Sequence, residues 1–411
     1  MSYLIGILAT VVALIISVAL HELGHMIPAK KFGVYVPQYM VGFGPTLFSK
    51  QVGETEYGVK AILLGGYVRL AGMFAPARPG TKLTNRKGQP TLAQEAREAS
   101  AQELEGGHEA QAFYRLSVPK KLTVMLGGPV TNLLLSLLIF AVIVLGFGFN
   151  TPTTTLESVP KCIGSTEETC STENPASPAY EAGLRAGDRV VAWNGEQTES
   201  WQDVVSAIET SEGASQVLVD REGTTHEFEL TPITVGERKI AGIVSRVERE
   251  RGSLADWGSI SWQAFAGTAG VVMALPSAVW DVTVQLFTEE PRDPNSVLSV
   301  VGVGRIAGEV SAETDVSLLD RVLMLLSLWG SLNMALFVFN LIPLPPLDGG
   351  HVAGAIWEGL RRSFNRLVGR PDPGAADTAR LVPLSYTVFA LLMVMTVILI
   401  AADIVKPISL I

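Results

Sequence analysis

The chain has 411 residues, enough for two or three domains, and is 48% hydrophobic and only 17% charged, with a formal net charge of −9. Soluble chains carry about 25% charged residues, so this composition, with a mean hydropathy of +0.33, predicts a membrane protein with a polar middle. The acidic balance and the lack of any Lys/Arg run exclude a nucleic-acid partner, and two cysteines exclude a disulfide scaffold and a Cys-rich zinc site.

In chain order, four windows are apolar enough to span a bilayer. Residues 3–20 are 18 positions without a charge, about 27 Å as a helix against a ~30 Å hydrocarbon core. This window reads as an anchor and not as a cleaved leader, because no small-x-small site follows the apolar run. The others are 122–149, 322–342 and 384–402. A fifth stretch, 258–287, is apolar but contains Pro276 and Asp281, with Trp257 just before it and Trp262 and Trp280 along it. It is expected to lie in the membrane interface.

Basic residues favour the cytoplasmic side. Residues 26–121 carry 13 Lys/Arg against 7 Asp/Glu, whereas 150–318 carry 11 against 26. Arg361, Arg362, Arg366, Arg370 and Arg380 lie between the last two windows. The expected topology has four spans, both termini outside, and an extracytoplasmic middle region.

The first window runs into His21-Glu22-Leu23-Gly24-His25. Residues i and i+4 share a helix face, so both imidazoles can hold one Zn²⁺, with Glu22 placed as general base toward zinc-activated water. A third ligand leaves one position open. His108 and His226 lie in polar segments far from any window. The end of the third window, Asn340 through Pro343, Pro345, Pro346 and Asp348-Gly349-Gly350 to His351, breaks the helix and permits tight backbone approach. Asp348 and His351 both remain candidates on chemistry alone.

These motifs resemble the site-2 protease family of intramembrane zinc metalloproteases, in its bacterial branch with an inserted PDZ domain (the regulator-of-sigma-factor type). His21–His25 is similar to the family's HExxH, and 340–350 to its NxxPxxxLDGG. Further landmarks are Gly42-Phe43-Gly44-Pro45, Leu64-Gly65-Gly66-Tyr67-Val68 and Gly127-Gly128-Pro129-Val130-Thr131-Asn132, in family order. The resemblance implies His21, His25 and Asp348 as ligands of one zinc per chain, and Glu22 as catalytic base. A parity argument agrees: for Asp348 to reach the same metal as His21, the region between spans two and three must cross the membrane an even number of times.

A substrate helix hides its amides in its own hydrogen bonds, and an exposed strand edge can hold it extended. Residues 56–70 read as two short strands around Gly65-Gly66; the family's membrane-reentrant β-loop, at about 55–72, implies a substrate-clamping role for Gly65, Gly66 and Tyr67. Asn340 is a candidate to bond the substrate backbone, or a helix-end cap. Residues 76–107, rich in Pro, Gly, Ala and Glu, read as a flexible insertion with a helical stretch at 92–104 and no assigned role. Residues 177–195 resemble a PDZ domain, with a hairpin turn at Asn194-Gly195, a short helix at 201–208 and strands at 216–219 and 226–230. Such a module either captures peptide by strand addition or gates access sterically. Cys162 and Cys170, on the oxidising side, are a candidate disulfide.

The expected fold is a polytopic α-helical membrane protein with four transmembrane helices, a reentrant β-hairpin and one extracytoplasmic PDZ domain. Its divisions are 1–26 (first span), 27–121 (cytoplasmic, with the hairpin), 122–149 (second span), 150–250 (PDZ), 251–318 (interfacial helix and linker), 319–350 (third span with the Asp-Gly-Gly motif), 351–382 (cytoplasmic loop) and 383–406 (fourth span). The expected activity is zinc endopeptidase hydrolysis within transmembrane segments in a bacterial cell membrane. The resemblance implies substrates with a single transmembrane helix, such as anti-sigma factors and remnant signal peptides. The competing reading is a non-enzymatic zinc scaffold or metal transporter. Such a protein needs no base beside its metal, and a transporter would carry several intramembrane sites where one cluster is found.

Overall fold

The computed structural model describes residues 1–164, 170, 174–236, 238–288, 292–293 and 296–408. The chain divides into two compact units, Met1–Ile143 with Ala255–Ile411, and Val144–Leu254.

The first unit begins with α1 (Ser2–Lys31), which continues past the HExxH residues as one helix and ends in Lys30 and Lys31, cations that suit a helix C-terminus. A hairpin follows, β1 (Gln38–Val52) against β2 (Thr55–Arg69), antiparallel with several register shifts. This corrects the expected pair of strands at 55–72. The turn is at Gly53-Glu54, where Gly53 takes φ +62°; Gly65, at φ +135°, lies within β2 and faces the Phe43 ring. The glycine pair therefore accommodates an irregular register under an aromatic ring, and the chain reverses twelve residues earlier.

Next come α2 (Leu92–Gln102) and α3 (Val118–Ala141), the latter prolonged by a π-helical turn, Val142–Phe147. The 76–107 segment is more ordered than expected. Arg97 of α2 pairs with Asp377 at 2.7 Å with both side chains largely buried, and Ser100 accepts from the Phe74 amide.

The second unit is α+β. It contains β3 (Phe149–Ser158), α4 (Pro178–Ala182), β4 (Arg189–Trp193), β5 (Glu196–Gln197), α5 (Trp201–Thr210), β6 (Ser215–Arg221) and β7 (Thr224–Leu230). The last strands are β8 (Ile233–Val235), β9 (Arg238–Ile240) and β10 (Val244–Glu250). The main sheet runs β10-β3-β4-β6-β7 with β5 on β4, and β8-β9 form a separate pair. Asn194 (φ +49°) and Gly195 (φ +85°) make the two-residue turn between β4 and β5. Ser200 and Asp203 form a reciprocal capping box on α5. Trp193, Leu156, Val190, Val204, Val217 and Val219 form its core. Cys162 and Cys170 are joined by a disulfide.

The first unit resumes with α6 (Leu254–Met273) and α7 (Leu275–Phe287), bent by 68° at a break that Pro276 restarts. Then follow α8 (Val300–Ala312), α9 (Leu318–Asn340), α10 (Asp348–Leu367) and α11 (Val382–Val405). Two expectations are corrected. Among the described residues, 251–318 hold three helices where one was expected, and the 351–382 stretch is largely helical: a 20-residue amphipathic helix begins at Asp348. Its apolar stripe, Trp357, Leu360 and Phe364, recurs at the i, i+3, i+7 helical spacing. Among the described residues, four helical stretches are long and apolar enough to cross a membrane, or five if the bent pair makes one span. The chain is thus a mixed helix-and-sheet membrane protein.

Candidate metal centre

One helical turn separates His21 from His25, so α1 presents both imidazoles on the face it turns to α3, and both are buried. That face is close-packed. A Cβ on Gly128 would lie 2.7 Å from His25 Cδ2 and 2.8 Å from His21 Cε1, so only glycine leaves room for the two rings. The first residues of α3 also orient His25, whose Nδ1 is 2.8 Å from the Val124 carbonyl oxygen. A carbonyl only accepts, so Nδ1 carries the proton and Nε2 presents its lone pair.

Asp348 arrives from the other end of the unit. After α9 stops at Asn340, the proline-rich turn brings the chain back within eight residues, and Asp348 is the first residue of α10. Gly349 seats against the Leu341 and Ile342 carbonyls, which leave no space for a Cβ. Farther along α10, the buried Glu358 pairs with Lys121 of α3 at 2.7 Å and accepts from the Ala376 amide, holding α10 to the helix that cradles the histidines. Breaking a buried pair of this kind typically costs 3–5 kcal/mol.

The result is a triangle of donors. His21 Nε2 and His25 Nε2 are 3.2 Å apart, and Asp348 Oδ2 is 3.2 Å and 3.3 Å from them. Zinc bonds of about 2.0–2.1 Å at tetrahedral angles put neighbouring ligands about 3.3 Å apart. Three inward-facing electron-pair donors at that spacing repel one another unless a cation lies between them, and two imidazoles with one carboxylate are a catalytic-zinc donor set with a fourth position open. The residues present fit the metal. Among the described residues this is the group of His, Cys, Asp and Glu whose donor atoms converge for a metal.

The other histidines are placed elsewhere. His108 stacks on Tyr35 and bonds Gln111, and His226 sits by Phe228. His351, one turn along α10 from Asp348, is not one of the convergent donors. Glu22, next to His21, faces β2: a Cβ on Gly66 would come within 3.3 Å of its Cγ. The hairpin is tied to α1 by Tyr39, whose hydroxyl donates to the Ala19 carbonyl at 2.7 Å. Tyr67 lies on the same hairpin, its ring stacked with Phe43, and Phe43, Leu47, Phe48 and Ile62 leave the hairpin's far end apolar and exposed. Asn340 is half-buried at the end of α9. Sequence reasoning missed Val124, Gly128 and the Lys121–Glu358 pair; only the Gly127–Asn132 landmark hinted that α3 mattered.

Comparison with known proteins gives the family. The profile of peptidase family M50 matches residues 9–369. The zinc metalloprotease Rip1 of Mycobacterium bovis is 31% identical over 440 aligned residues, covering all of both chains. Rip1 of Mycobacterium tuberculosis is 30% identical, again over the whole of both. Rip1 of Mycolicibacterium smegmatis is 28% identical over all of this chain and 99% of that relative. With a family match over most of its length and full-length zinc-protease relatives, the chain belongs to peptidase family M50, the site-2 type of intramembrane zinc metalloprotease.

Proposed function

We propose that His21, His25 and Asp348 hold the zinc and that Glu22 is the general base for cutting transmembrane segments of single-span membrane proteins. The observation that carries this reading is the donor triangle at 3.2–3.3 Å beside a carboxylate in an otherwise apolar helix. Bound there, zinc supplies a Lewis acid that makes water a nucleophile near neutral pH and polarises the scissile carbonyl. Glu22 takes the proton from the attacking water and delivers it to the leaving amine. The β1–β2 edge holds the unwound substrate as an added strand, with Gly65, Gly66 and Tyr67 along it, and the Asn340 amide bonds the substrate backbone.

The finer topology is part of the same proposal: four spans, both termini outside, and the acidic 150–250 region as an extracytoplasmic PDZ domain in a bacterial cell membrane. Support comes from the charge bias and from the strand and helix order of the second unit. Substrates of the expected class are anti-sigma factors and remnant signal peptides whose outer domains another protease has removed.

The decisive experiment compares Glu22→Gln, His21→Ala and Asp348→Ala for zinc content and for cleavage of a model single-span substrate in bilayers. Glu22→Gln keeps about one zinc per chain and loses activity by a factor on the order of 10²–10⁴. The other two lose both. Normal cleavage by Glu22→Gln would sink the mechanism.

A further inference from the structure

Three spans carry buried polar atoms that have no hydrogen-bond partner among the described residues: His21 Nδ1 on α1, both amide atoms of Asn132 on α3, and Oδ1 of Asn333 on α9. Asn132 and Asn333 are fully buried, as is Ser17. Helix register puts these groups in one layer. α1 and α3 run antiparallel, with His25 at Val124 and His21 at Gly128, so one turn further along α3 brings Asn132 to the level of His21 and Ser17. α3 and α9 are also antiparallel, pinned where Ser136 donates to the Gly330 carbonyl at 2.8 Å. One turn back along α3 and one forward along α9, Asn132 meets the level of Asn333. Asn333 in turn donates to Ser17 at 3.0 Å, and Trp329 donates to the same oxygen at 2.8 Å.

An amide buried in a membrane-spanning core without a partner is costly, and a leucine of similar volume would avoid that cost. The layer must therefore be satisfied by something small and polar. The metal ligands state the need. An imidazole that binds metal through one nitrogen needs an acceptor for the N–H of the other. His25 has the Val124 carbonyl. His21 turns Nε2 to Asp348 at 3.2 Å, which leaves its proton on Nδ1, the atom without a protein acceptor.

We infer that Asn132 is the positioning residue for His21. A buried water takes the Nδ1–H of His21 and donates to Asn132 Oδ1, and water in the same layer bridges Asn132 Nδ2 to Asn333 Oδ1. The ligand class of this site is water, and its effect is to lock the ring orientation and raise the basicity of Nε2. The inference rests on the reading of His21 as a zinc ligand.

The test uses the full-length protein in lipid nanodiscs, with Glu22→Gln in every sample to prevent self-cleavage. Zinc affinity is read by chelator competition, and the ligand field by the visible bands of the Co²⁺-substituted protein. Asn132→Leu should weaken zinc binding by about 10- to 100-fold and shift the Co²⁺ bands. Asn132→Asp, which keeps an acceptor, should bind at least as tightly as the parent. Leu134→Ala, on the exposed face of α3, should stay within twofold and keep the parent bands. A folded Asn132→Leu with parent affinity and bands overturns the inference. If that variant does not fold, an Asn132→Asp protein that binds zinc more weakly than the parent overturns it. A parent that binds zinc no better than His21→Ala overturns the ligand assignment itself, a result separable from the others.

Discussion

A Cβ placed on Gly24 falls on the carbonyl of Gly127, and one on Gly127 falls on the carbonyl of Gly24. The backbones of α1 and α3 thus meet directly, with the Thr131 hydroxyl beside them, next to His25 and Gly128. Close approach through small residues is how helices associate in lipid, where apolar surface gives no net drive. Here it also sets the height of both imidazoles against the helix that buries them. Gly24→Leu should therefore destabilise the membrane unit by about 1–3 kcal/mol through overpacking and lower zinc content more than it lowers expression. Gly267→Leu, on α6 with open space around it, should do neither. Zinc analysis alongside thermal unfolding in detergent separates the two, and a Gly24→Leu protein with full zinc would contradict this role.

The proposed topology is checked by cysteine accessibility in intact cells. A probe at residue 200 should react with an impermeant thiol reagent, and one at residue 90 should not. A probe between α6 and α7, at residue 274, tells whether the bent pair spans the membrane or lies in its interface. A protected residue 200 would overturn the assignment.

If the second unit filters substrates as a gate, deleting roughly residues 155–245 lets the enzyme cut substrates that keep large outer domains, while trimmed substrates are cut at near-normal rates. If it captures peptide, the same deletion slows cutting of trimmed ones. The gate is favoured, because capture adds only effective concentration for a substrate already confined to the bilayer. Cleavage of intact and trimmed substrates in reconstituted vesicles decides between them, and continued refusal of intact substrate by the deletion variant counts against the gate.

Within the second unit, Asp188 is buried, and burial by itself would raise its pKa. Arg221, bonded to both carboxylate oxygens at 2.7 Å, and the Arg185 amide outweigh that and hold it below the ordinary carboxylate range. A depressed native pKa contributes stability that is fully present above the unfolded value, about 3.9, and is lost as pH falls through the native one. Asp188→Asn should cost about 1–3 kcal/mol at pH 7, a gap that narrows below about pH 4. Amide exchange in β4 and β6 reads it; a gap that grows on acidification would contradict the assignment.

The His21–His25 side of the candidate centre was legible because its pattern is local. Two histidines four apart bracket a glutamate on any helix, and apolar runs of spanning length declare themselves in composition. The second unit's turns were equally local: Asn194-Gly195 adopts the positive φ angles that a two-residue hairpin needs. What lay beyond the sequence was everything set by contact between distant segments. Gly65-Gly66 carries the same local turn signal as Gly53-Glu54, and only pairing of β2 with β1 decides which of them reverses the chain. Asp348 and His351 are equivalent by local chemistry, and the choice depends on how the turn after Asn340 returns α10 to α1. The Val124 carbonyl, the Gly24–Gly127 approach and the buried layer around Asn132 exist only once three helices are in register, because each comes from two residues that share no spacing along the chain.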